Sequence, residues 1–387
     1  MGGWFQQTAE VWLILQLTGS GAAIGLQSVL RFGPLLLFGI PAGVLTDRLE
    51  RRKLLFFTQS AYVLTAGALA VATFTGTPDL LLIYALVLAR GFLNAIDNPL
   101  RRGFIRDLVT DDELTNAVSF NSTINTLARF VGPGLAGLVI VGGGVQWCFA
   151  LNAVSYGAVL ISLFRIDARS TRPRVAQGTG MAQVVEGLRY VWEDRRIRRT
   201  LIMVAVVGLF AHSWDVALPL YATNDFGGSA SLYGLFASTI GVGAFAVTWF
   251  VMRMTRIGGS DLRTACIAMA VALVALALAP FPVAAVAGLL LLGAASTSFQ
   301  IFAQSRLQLA AEDRISGRVL AIYSVALVGT RPVGAVVAGA IADAAGPRAV
   351  FAFSAAVVAV LVGALYATRP TRIAAPRTVV PIDDAPA

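Results

Sequence analysis

Long apolar runs recur along almost the whole length of this chain of 387 residues. A run of about 20 apolar residues is long enough to cross a bilayer as a helix. Inside lipid the backbone polar groups find no water, so each run must satisfy its own hydrogen bonds as a helix. The sequence therefore predicts an all-α membrane protein with twelve spanning helices, at 4–17, 23–45, 54–75, 80–99, 114–140, 146–164, 200–222, 231–253, 263–280, 283–303, 318–342 and 347–367.

Charge is scarce and unevenly placed. Only 13% of the residues are charged, which is about half the share of an average soluble domain. Of the 30 lysines and arginines, 25 lie in alternate loops and the C-terminal tail, at 48–53, 101–106, 165–199, 253–263, 306–318 and 369–377. Cytoplasmic loops carry this excess, so we expect these loops and both termini to face the cytoplasm. We expect no nucleic-acid partner, because the net charge of +9 forms no basic soluble face.

The two ends of the chain carry separate expectations. The first span holds about 14 apolar-leaning residues, or about 21 Å of helix, which is less than a hydrocarbon core of about 30 Å. We therefore expect a truncated first helix, with further residues before Met1 in the natural protein or a misassigned start codon. The last 19 residues, 369–387, are rich in proline, alanine and charge, and we expect them to be disordered.

The chain repeats itself. Arg129, Val131, Gly132, Ala136 and Gly137 recur 202 residues later as Arg331, Val333, Gly334, Ala338 and Gly339. We therefore expect six spans in an N-terminal bundle, 1–166, and six in a C-terminal bundle, 199–368, joined by a linker, 167–198. Residues 181–196 of the linker have helical spacing, and we expect a helix there that lies on the cytoplasmic membrane surface or is solvated.

The turn between the second and third spans reads Gly43-Val-Leu-Thr-Asp47-Arg48-Leu-Glu50-Arg51-Arg52-Lys53. This run resembles the loop signature of the major facilitator superfamily, G-x-x-x-D-R-x-G-R-[RK], with Glu50 at the usual glycine. The alternative is an ordinary cytoplasmic turn that collects arginines. The resemblance implies a transporter with two six-helix bundles related by a pseudo-two-fold repeat, and a substrate site between them near the midplane.

The same resemblance implies a gate. In the superfamily this loop contacts an acidic residue at the cytoplasmic end of the fourth helix, and Asp97 occupies that place here. We predict that Asp47, Arg51 and Asp97 form a gate latch that stabilises the outward-facing state. The alternative is topological charge, which contributes about 0–1 kcal/mol for an exposed pair.

A second motif, Gly132-Pro133-Gly134-Leu-Ala-Gly137, lies in the fifth span. It resembles the G-P-x-x-G-G signature of drug and metabolite antiporters. Small residues let helices approach closely, and proline bends a helix. The motif and its repeat partners, Gly334 and Gly339, therefore predict close helix packing, and the resemblance favours export over uptake.

The whole chain resembles a narrower branch, which contains the enterobactin exporter and macrolide and multidrug efflux proteins. The matching residues are Leu17-Thr-Gly-Ser20, Asp97-Asn-Pro99 with Arg101, Asn116-Ala-Val118, Gly187-Leu-Arg-Tyr190 and Gly317-Arg318-Val319. The branch implies a secondary active exporter of the bacterial inner membrane that exchanges a siderophore-like molecule, or a macrolide or other drug, for protons. A receptor or assembly partner that lost transport, and an importer, are the alternatives.

Ionisable residues inside spans need a partner or a function, because a charge at a helix centre costs about 2.5–3.5 kcal/mol. Glu10 and Asp215 lie in the first span of each half and are candidates for proton coupling, since a desolvated carboxylate binds protons more readily. His212 precedes Asp215 by three residues, on the same helical face. Arg90 partly matches an R-x-x-x-G motif of proton-coupled members, with Asn94 at the glycine. The alternative places Glu10 in a wet cavity without a role, and Asp215 at the extracellular end.

The remaining candidates are cavity residues. Arginines outnumber acids inside the spans, which favours an anionic or phenolate-bearing cargo over a lipophilic cation. We expect Arg129 and Arg331 to be structural and to pair with carbonyls or acids. Aromatic side chains and amides suit a polyaromatic ligand, although such aromatics more often face lipid. The substrate-cavity candidates are Gln6, Gln7, Arg31, Trp214, Phe299 and Gln300.

Enzymatic chemistry is not indicated. The sequence has no P-loop, no Ser/His/Asp set and no metal-ligand spacing, and it holds one histidine and two distant cysteines. We therefore expect no enzyme activity, no cofactor, no metal and no disulfide framework. The expected partners are a small-molecule cargo, protons and the lipid bilayer, and we expect a monomer.

Overall fold

The computed structural model describes residues 2–76, 78–110, 112–166, 181–212, 214–251, 253 and 259–367, and gives only the backbone at some helical positions. Within this part the chain forms fifteen α-helices: α1 Gly2–Thr18, α2 Gly21–Arg48, α3 Arg51–Thr75, α4 Leu80–Leu108, α5 Leu114–Gly143, α6 Val145–Arg165, α7 Met181–Glu193, α8 Arg195–Val206, α9 Trp214–Leu220, α10 Ala230–Val251, α11 Gly259–Leu278, α12 Pro282–Ala310, α13 Asp313–Val328, α14 Arg331–Ala345 and α15 Pro347–Ala367.

Each predicted span coincides with a helix or a broken helix. Eleven spans in the described part are long and apolar enough to cross a membrane, and α1, with 17 residues, packs among them against α5 and α6. The seventh span joins α8, a π-helical segment Val207–Ala211, α9 and a second π-helical segment Tyr221–Asp225. The eleventh span joins α13 and α14. The predicted all-α membrane fold is confirmed.

A glycine turn separates two helices at the corresponding place in each half. Gly144 separates α5 from α6 with a φ of 93°, and Gly346 separates α14 from α15 with a φ of 84°. Both values lie in the left-handed region, which glycine adopts without the steric penalty of a side chain. The two glycines are 202 residues apart, like the repeat in the sequence, so the same backbone reversal closes both pairs of helices.

The halves meet at one end. We call the side of the basic loops the basic end and the other side the opposite end. Contacts between the halves are made chiefly by α5 with α10 and by α2 with α14. A Cβ added at Gly137 would lie 2.6 Å from the carbonyl oxygen of Ala230, and one added at Gly339 would lie 2.5 Å from that of Gly21. These glycines bring the helix backbones together at the opposite end.

A polar clasp joins the halves at the same end. Asp343, near the end of α14, accepts hydrogen bonds at the start of α2 from the hydroxyl of Ser20 at 2.7 Å and the backbone N–H groups of Gly21 at 2.5 Å and Ala22 at 3.0 Å. A carboxylate at a helix N-terminus binds free N–H groups and complements the helix dipole. We call this contact the Asp343 clasp.

Toward the basic end α5 loses its neighbours. All eight residues of 118–125 are exposed, including Phe120, whose exposed fraction is 70%. Polar residues at Asn121, Ser122 and Asn125 share this stretch with apolar ones. Polar side chains are costly against lipid tails, so this stretch of α5 borders a cleft between the halves that opens at the basic end.

The linker helix belongs with the second half. Glu186 of α7 forms an ion pair of 2.6 Å with Arg318 of α13, and the hydroxyl of Tyr190 accepts a 3.3 Å hydrogen bond from the backbone of Glu312. A helix within the predicted stretch 181–196 is therefore present, although α7 ends at Glu193. Residues 167–180 and the tail 369–387 lie outside the described residues, and the predicted domain boundaries remain predictions.

Candidate transport site

A buried carboxylate lies in the first half. Glu10 of α1 is 1% exposed and accepts a 2.8 Å hydrogen bond from the side-chain amide of Gln6. Its other partners are Arg90 of α4, in a direct ion pair, and Arg31 of α2, whose guanidinium nitrogen lies 3.7 Å from the second carboxylate oxygen. The alternative of a wet Glu10 is therefore wrong, because two guanidinium groups replace solvent around it, while its role in proton coupling stays a prediction.

Polar side chains support this acid. The amide of Gln6 also accepts a hydrogen bond from Asn152 of α6. Nearby, the rings of Tyr62 and Tyr156 stack with centroids 4.9 Å apart. Gln6 is 0% exposed and fully engaged inside the first half, so it does not line a cavity as we expected of a cargo-binding residue.

The second acid has different surroundings. Asp215 stands in the first turn of α9, directly after the π-helical segment of the seventh span. It makes no hydrogen bond or ion pair within the described residues, and it lines a cavity of about 40 Å³ between the halves. π-Helical segments are frequent at functional sites. Here the break turns Asp215 toward the cavity.

His212 does not share this position. The α-helical bonding gives way to a π-helical segment that ends at Ala211, and α9 starts only at Trp214. The predicted shared helical face of His212 and Asp215 is therefore wrong. His212 is buried, with one ring nitrogen 3.3 Å from the amide nitrogen of Gln300 in α12 and the other 3.4 Å from the carbonyl of Val207.

The cavity draws on both halves. Gln7 and Trp214, two of the predicted cavity residues, are among those that line it, whereas Phe299 is fully buried in the core and Gln300 contacts His212. Arg31 belongs to the Glu10 cluster. The lining residues are Trp4, Gln7, Thr8, Arg129, Pro133, Trp214, Asp215, Leu218, Tyr233, Ala237, Ile240 and Gly241.

The repeat-related arginines, one from each half, interact near this cavity. The guanidinium of Arg129 lies over the ring of Trp4, 5.6 Å from its centroid. Arg129 and Arg331 interact electrostatically with each other and with Asp215. Within the described residues neither arginine side chain makes a hydrogen bond or an ion pair, so the expected pairing with carbonyls or acids is wrong.

The predicted latch is described only in part. Arg51 binds both carboxylate oxygens of Asp107 at 2.8 Å. Asp97 accepts hydrogen bonds from Gln59 at 2.8 Å and from Arg101 at 2.5 Å. Of Gly43, Asp47 and Arg48 the structure describes only the backbone, so the Asp47–Arg51–Asp97 latch stays a prediction.

The structure describes the contacts of Arg52 and of the helix-packing motif. Arg52 donates to the carbonyl of Leu163 at the end of α6, at 3.0 Å. Gly132 lies against Trp4, and Gly137 meets α10. Pro133 also borders the cavity, and Gly334 is buried in α14.

Sequence reasoning missed the Asp343 clasp. Its available signal was an acid three residues before the glycine turn that ends the eleventh span. It also missed Asn152, because a lone asparagine in an apolar run gives no indication of the helix that it faces.

Comparison with known proteins places the chain in a family. The model of a family described as transmembrane secretion effector matches residues 1–378. The chain is 28% identical over 353 residues to the multidrug efflux pump Tap of Mycolicibacterium fortuitum, covering 88% of this chain and 85% of that one. It is 26% identical over 253 residues to the staphyloferrin A transporter of Staphylococcus aureus, and this match spans 64% of this chain and 62% of the relative.

A further relative and two solved structures agree. The macrolide efflux protein A of Streptococcus pyogenes is 21% identical over 226 residues, covering 58% of this chain and 56% of the relative. The nucleoside transporter NupG superposes with a TM-score of 0.71 at 13% identity, covering 94% of this chain and 96% of that one. An inward-facing, unoccupied bacterial homologue of the transporter Spinster gives 0.65 at 14% identity, covering 94% and 92%.

The two structural matches show the fold, and the family match covers almost the whole chain. The all-helical fold, with eleven spans in the described part that are long and apolar enough to cross a membrane, is that of a multi-pass membrane transporter. The chain therefore belongs to the transmembrane secretion effector family of the major facilitator superfamily.

Proposed function

We propose that this protein is a secondary active exporter of the bacterial inner membrane that exchanges a small amphipathic molecule for protons by alternating access. The observation that carries the proposal is the asymmetry between the halves. The glycine contacts and the Asp343 clasp join them at the opposite end, and the exposed stretch 118–125 of α5 indicates a cleft at the basic end. The cavity lies between α1, α5, α9 and α10. Because basic loops face the cytoplasm, this arrangement is an inward-facing state that admits cargo from the cytoplasm.

Release outside requires the opposite arrangement. The glycine contacts of α5 with α10 and the Asp343 clasp must separate, and the basic end must close. The predicted latch of Asp47, Arg51 and Asp97 would then stabilise the outward-facing state. Packed interfaces of this kind switch between discrete arrangements rather than deform continuously.

Glu10 is the first candidate for the exchanged proton. In this state two guanidinium groups compensate its charge. If α4 moves Arg90 away during the transition, the carboxylate remains buried without its partner and takes up a proton. Proton binding at Glu10 would thus depend on the conformational state, as exchange requires. Asp215, at the cavity, is the second candidate.

The relatives support a cargo class. The staphyloferrin A transporter supports a siderophore-like molecule as the first choice. The Tap pump and macrolide efflux protein A support a macrolide or another drug as the second. The volume of about 40 Å³ holds only part of such a molecule, so the remainder would extend into the cleft.

Cargo-triggered proton release from inverted membrane vesicles, energised to be acid inside, tests the proposal. Catecholate siderophores, macrolides and cationic dyes are added in turn to wild type, Glu10→Gln and Asp215→Asn. Glu193→Gln is the matched control, because Glu193 pairs with Arg189 on the exposed surface of α7. We expect one compound to dissipate the gradient in wild type and the control, and Glu10→Gln to abolish this.

The opposite result is equally informative. If no compound dissipates the gradient while the protein is folded and inserted, proton exchange is contradicted. A receptor or assembly partner that retains the fold then becomes the better account.

A further inference from the structure

Uncompensated positive charge lies where the halves meet. Arg129 comes from α5 of the first half and Arg331 from α14 of the second, and they interact unfavourably with each other. Asp215 is the acid with which both interact. Two like charges away from bulk water are costly unless opposite charge balances them. The two guanidinium groups therefore exceed the one carboxylate with which both interact by one positive charge, and Arg31 is a further guanidinium that interacts with Asp215.

Two buried hydrogen-bond donors of this region have no acceptor within the described residues. One is the indole N–H of Trp214, which lines the cavity, and the other is the Nε–H of Arg331, which is not among the lining residues. A buried donor without an acceptor costs about 1–3 kcal/mol, so such groups in a transporter point to a ligand that supplies acceptors. The excess positive charge and the donors without acceptors thus indicate the same kind of ligand group, one that is anionic and accepts hydrogen bonds.

Size and surroundings narrow this group further. A water needs about 10–15 Å³ of such a cavity, so a cavity of about 40 Å³ accommodates a group of a few heavy atoms. The indole ring of Trp4 borders the same space beneath the guanidinium of Arg129, and Trp12 stacks on Tyr233 with centroids 6.2 Å apart. A planar carboxylate attached to an aromatic ring or another flat apolar body fits both features.

We propose that Arg129 and Arg331, with the indole N–H of Trp214, form an anion site that binds a carboxylate group of the cargo. This inference rests on the proposed export function and narrows its cargo to carboxylate-bearing molecules. A guanidinium offers a planar fork of donors that matches a carboxylate. Because one arginine comes from each half, the bound carboxylate bridges the halves, while the body of the cargo lies in the cleft.

The proposal gives Asp215 a defined role beside the arginines. Its carboxylate and that of the cargo interact with the same two guanidinium groups and repel each other. Removing the charge of Asp215 should therefore strengthen binding of an anionic cargo. A cationic cargo would show the reverse, since Asp215 would then be its binding partner.

The test is equilibrium dialysis of radiolabelled benzoate with the purified full-length protein in detergent. Benzamide and benzylamine serve as competitors, because they carry the same ring with a neutral and a cationic head group. We expect benzoate to compete with the label at least tenfold better than either. Arg129→Gln and Arg331→Gln should each weaken binding at least tenfold, Arg129→Lys, which keeps the charge but not the planar fork, should weaken it less than Arg129→Gln, and Asp215→Asn should strengthen it several-fold.

Arg253→Gln is the matched control, because Arg253 also lies over an indole ring, that of Trp249 at 4.8 Å, but at the basic end. It should bind benzoate like wild type. A monodisperse elution profile in size-exclusion chromatography shows that each variant is folded, and Arg129→Lys keeps the test decisive if a glutamine variant is not.

Two results of the binding experiment alone overturn the anion site. One is equal or better competition by benzamide or benzylamine, and the other is unchanged benzoate binding in folded Arg129→Gln and Arg331→Gln. Vesicle export of a neutral or cationic compound without benzoate binding would overturn the anion site and leave the exporter proposal standing. Benzoate binding without proton release would support the anion site and contradict the exporter proposal.

Discussion

Glu10 and Asp215 lie in the first span of their respective halves, but their surroundings differ. Glu10 is enclosed within the first half, where Gln6, Arg90 and Arg31 contact its carboxylate. Asp215 faces a cavity between the halves and makes no direct ion pair within the described residues. Two acids that each lie in the first span of their half therefore have different tasks available to them.

The two acids therefore differ in which movements change the charge balance around them. Within the described residues the cations paired with Glu10 come from α2 and α4, so its charge balance changes when helices of the first half move. The cations near Asp215 come from both halves, so its charge balance changes when the halves separate or when cargo enters. We infer that the charge balance of Glu10 depends on the conformation of the protein and that the charge balance of Asp215 depends on whether cargo is bound.

The largest expected effect is that of Glu10→Gln. This change leaves the guanidinium of Arg90 buried and unpaired, and breaking a buried ion pair costs about 3–5 kcal/mol. We expect loss of cargo-triggered proton release and a marked fall in thermal stability, measured by the unfolding temperature in detergent. The double variant Glu10→Gln/Arg90→Met should recover part of the stability but no proton release. Full stability in Glu10→Gln would contradict the pairing of these residues.

Contacts between the halves give the second prediction, Gly137→Val. Its side chain would collide with α10, because a Cβ at this position already lies 2.6 Å from the carbonyl oxygen of Ala230. We expect the opposite end to separate and the protein to shift to the outward-facing state. Gly142→Val is the matched control on the same helix, since a Cβ there meets nothing within 4 Å.

The measurement is labelling of a cysteine introduced at the cavity residue Ala237 by a membrane-impermeant maleimide. The natural cysteines, Cys148 and Cys266, are buried, so their background labelling is low. Labelling should come from the basic end in the parent and the Gly142→Val control, and from the opposite end in Gly137→Val. An unchanged side of access in Gly137→Val would show that this interface does not set the conformation.

Much of the fold follows from the sequence because each span is decided locally. A bilayer forces an apolar run into a helix whatever its neighbours are, so the spans could be predicted one by one. The repeat of Arg129 and Arg331 likewise indicated two related halves. These features need only hydropathy and spacing along the chain.

The side-chain partners could not be predicted in this way. Glu10 and Arg90 are 80 residues apart, and Gly21 and Asp343 are 322 residues apart. Such pairings depend on how each helix rotates and packs, which periodicity does not determine. The π-helical segment before α9 shows the same limit, because a local change of helix type separated His212 from the face of Asp215.

Asp215→Asn tests the second of the two acids, and we expect a smaller effect than that of Glu10→Gln. The variant removes no direct ion pair within the described residues, so we expect an unfolding temperature close to that of wild type. The maximal rate of proton release should persist, while the cargo concentration for half-maximal release falls several-fold, because a competing carboxylate is absent. Abolished proton release in a folded Asp215→Asn protein would contradict this division and make Asp215 the exchange site.

The smallest expected effect is that of Asp343→Asn, which weakens the clasp without removing bulk. A charged cap at a helix N-terminus contributes about 1 kcal/mol, so the equilibrium should shift about fivefold toward the outward-facing state. The matched control is Asp79→Asn, since Asp79 caps α4 at the same end but accepts its hydrogen bond from Leu81 of its own half. Both variants lose a cap, yet only Asp343→Asn should increase labelling of the cysteine at position 237 from the opposite end. Equal labelling in the two variants would mean that the clasp stabilises α2 alone and that the glycine contacts hold the halves together.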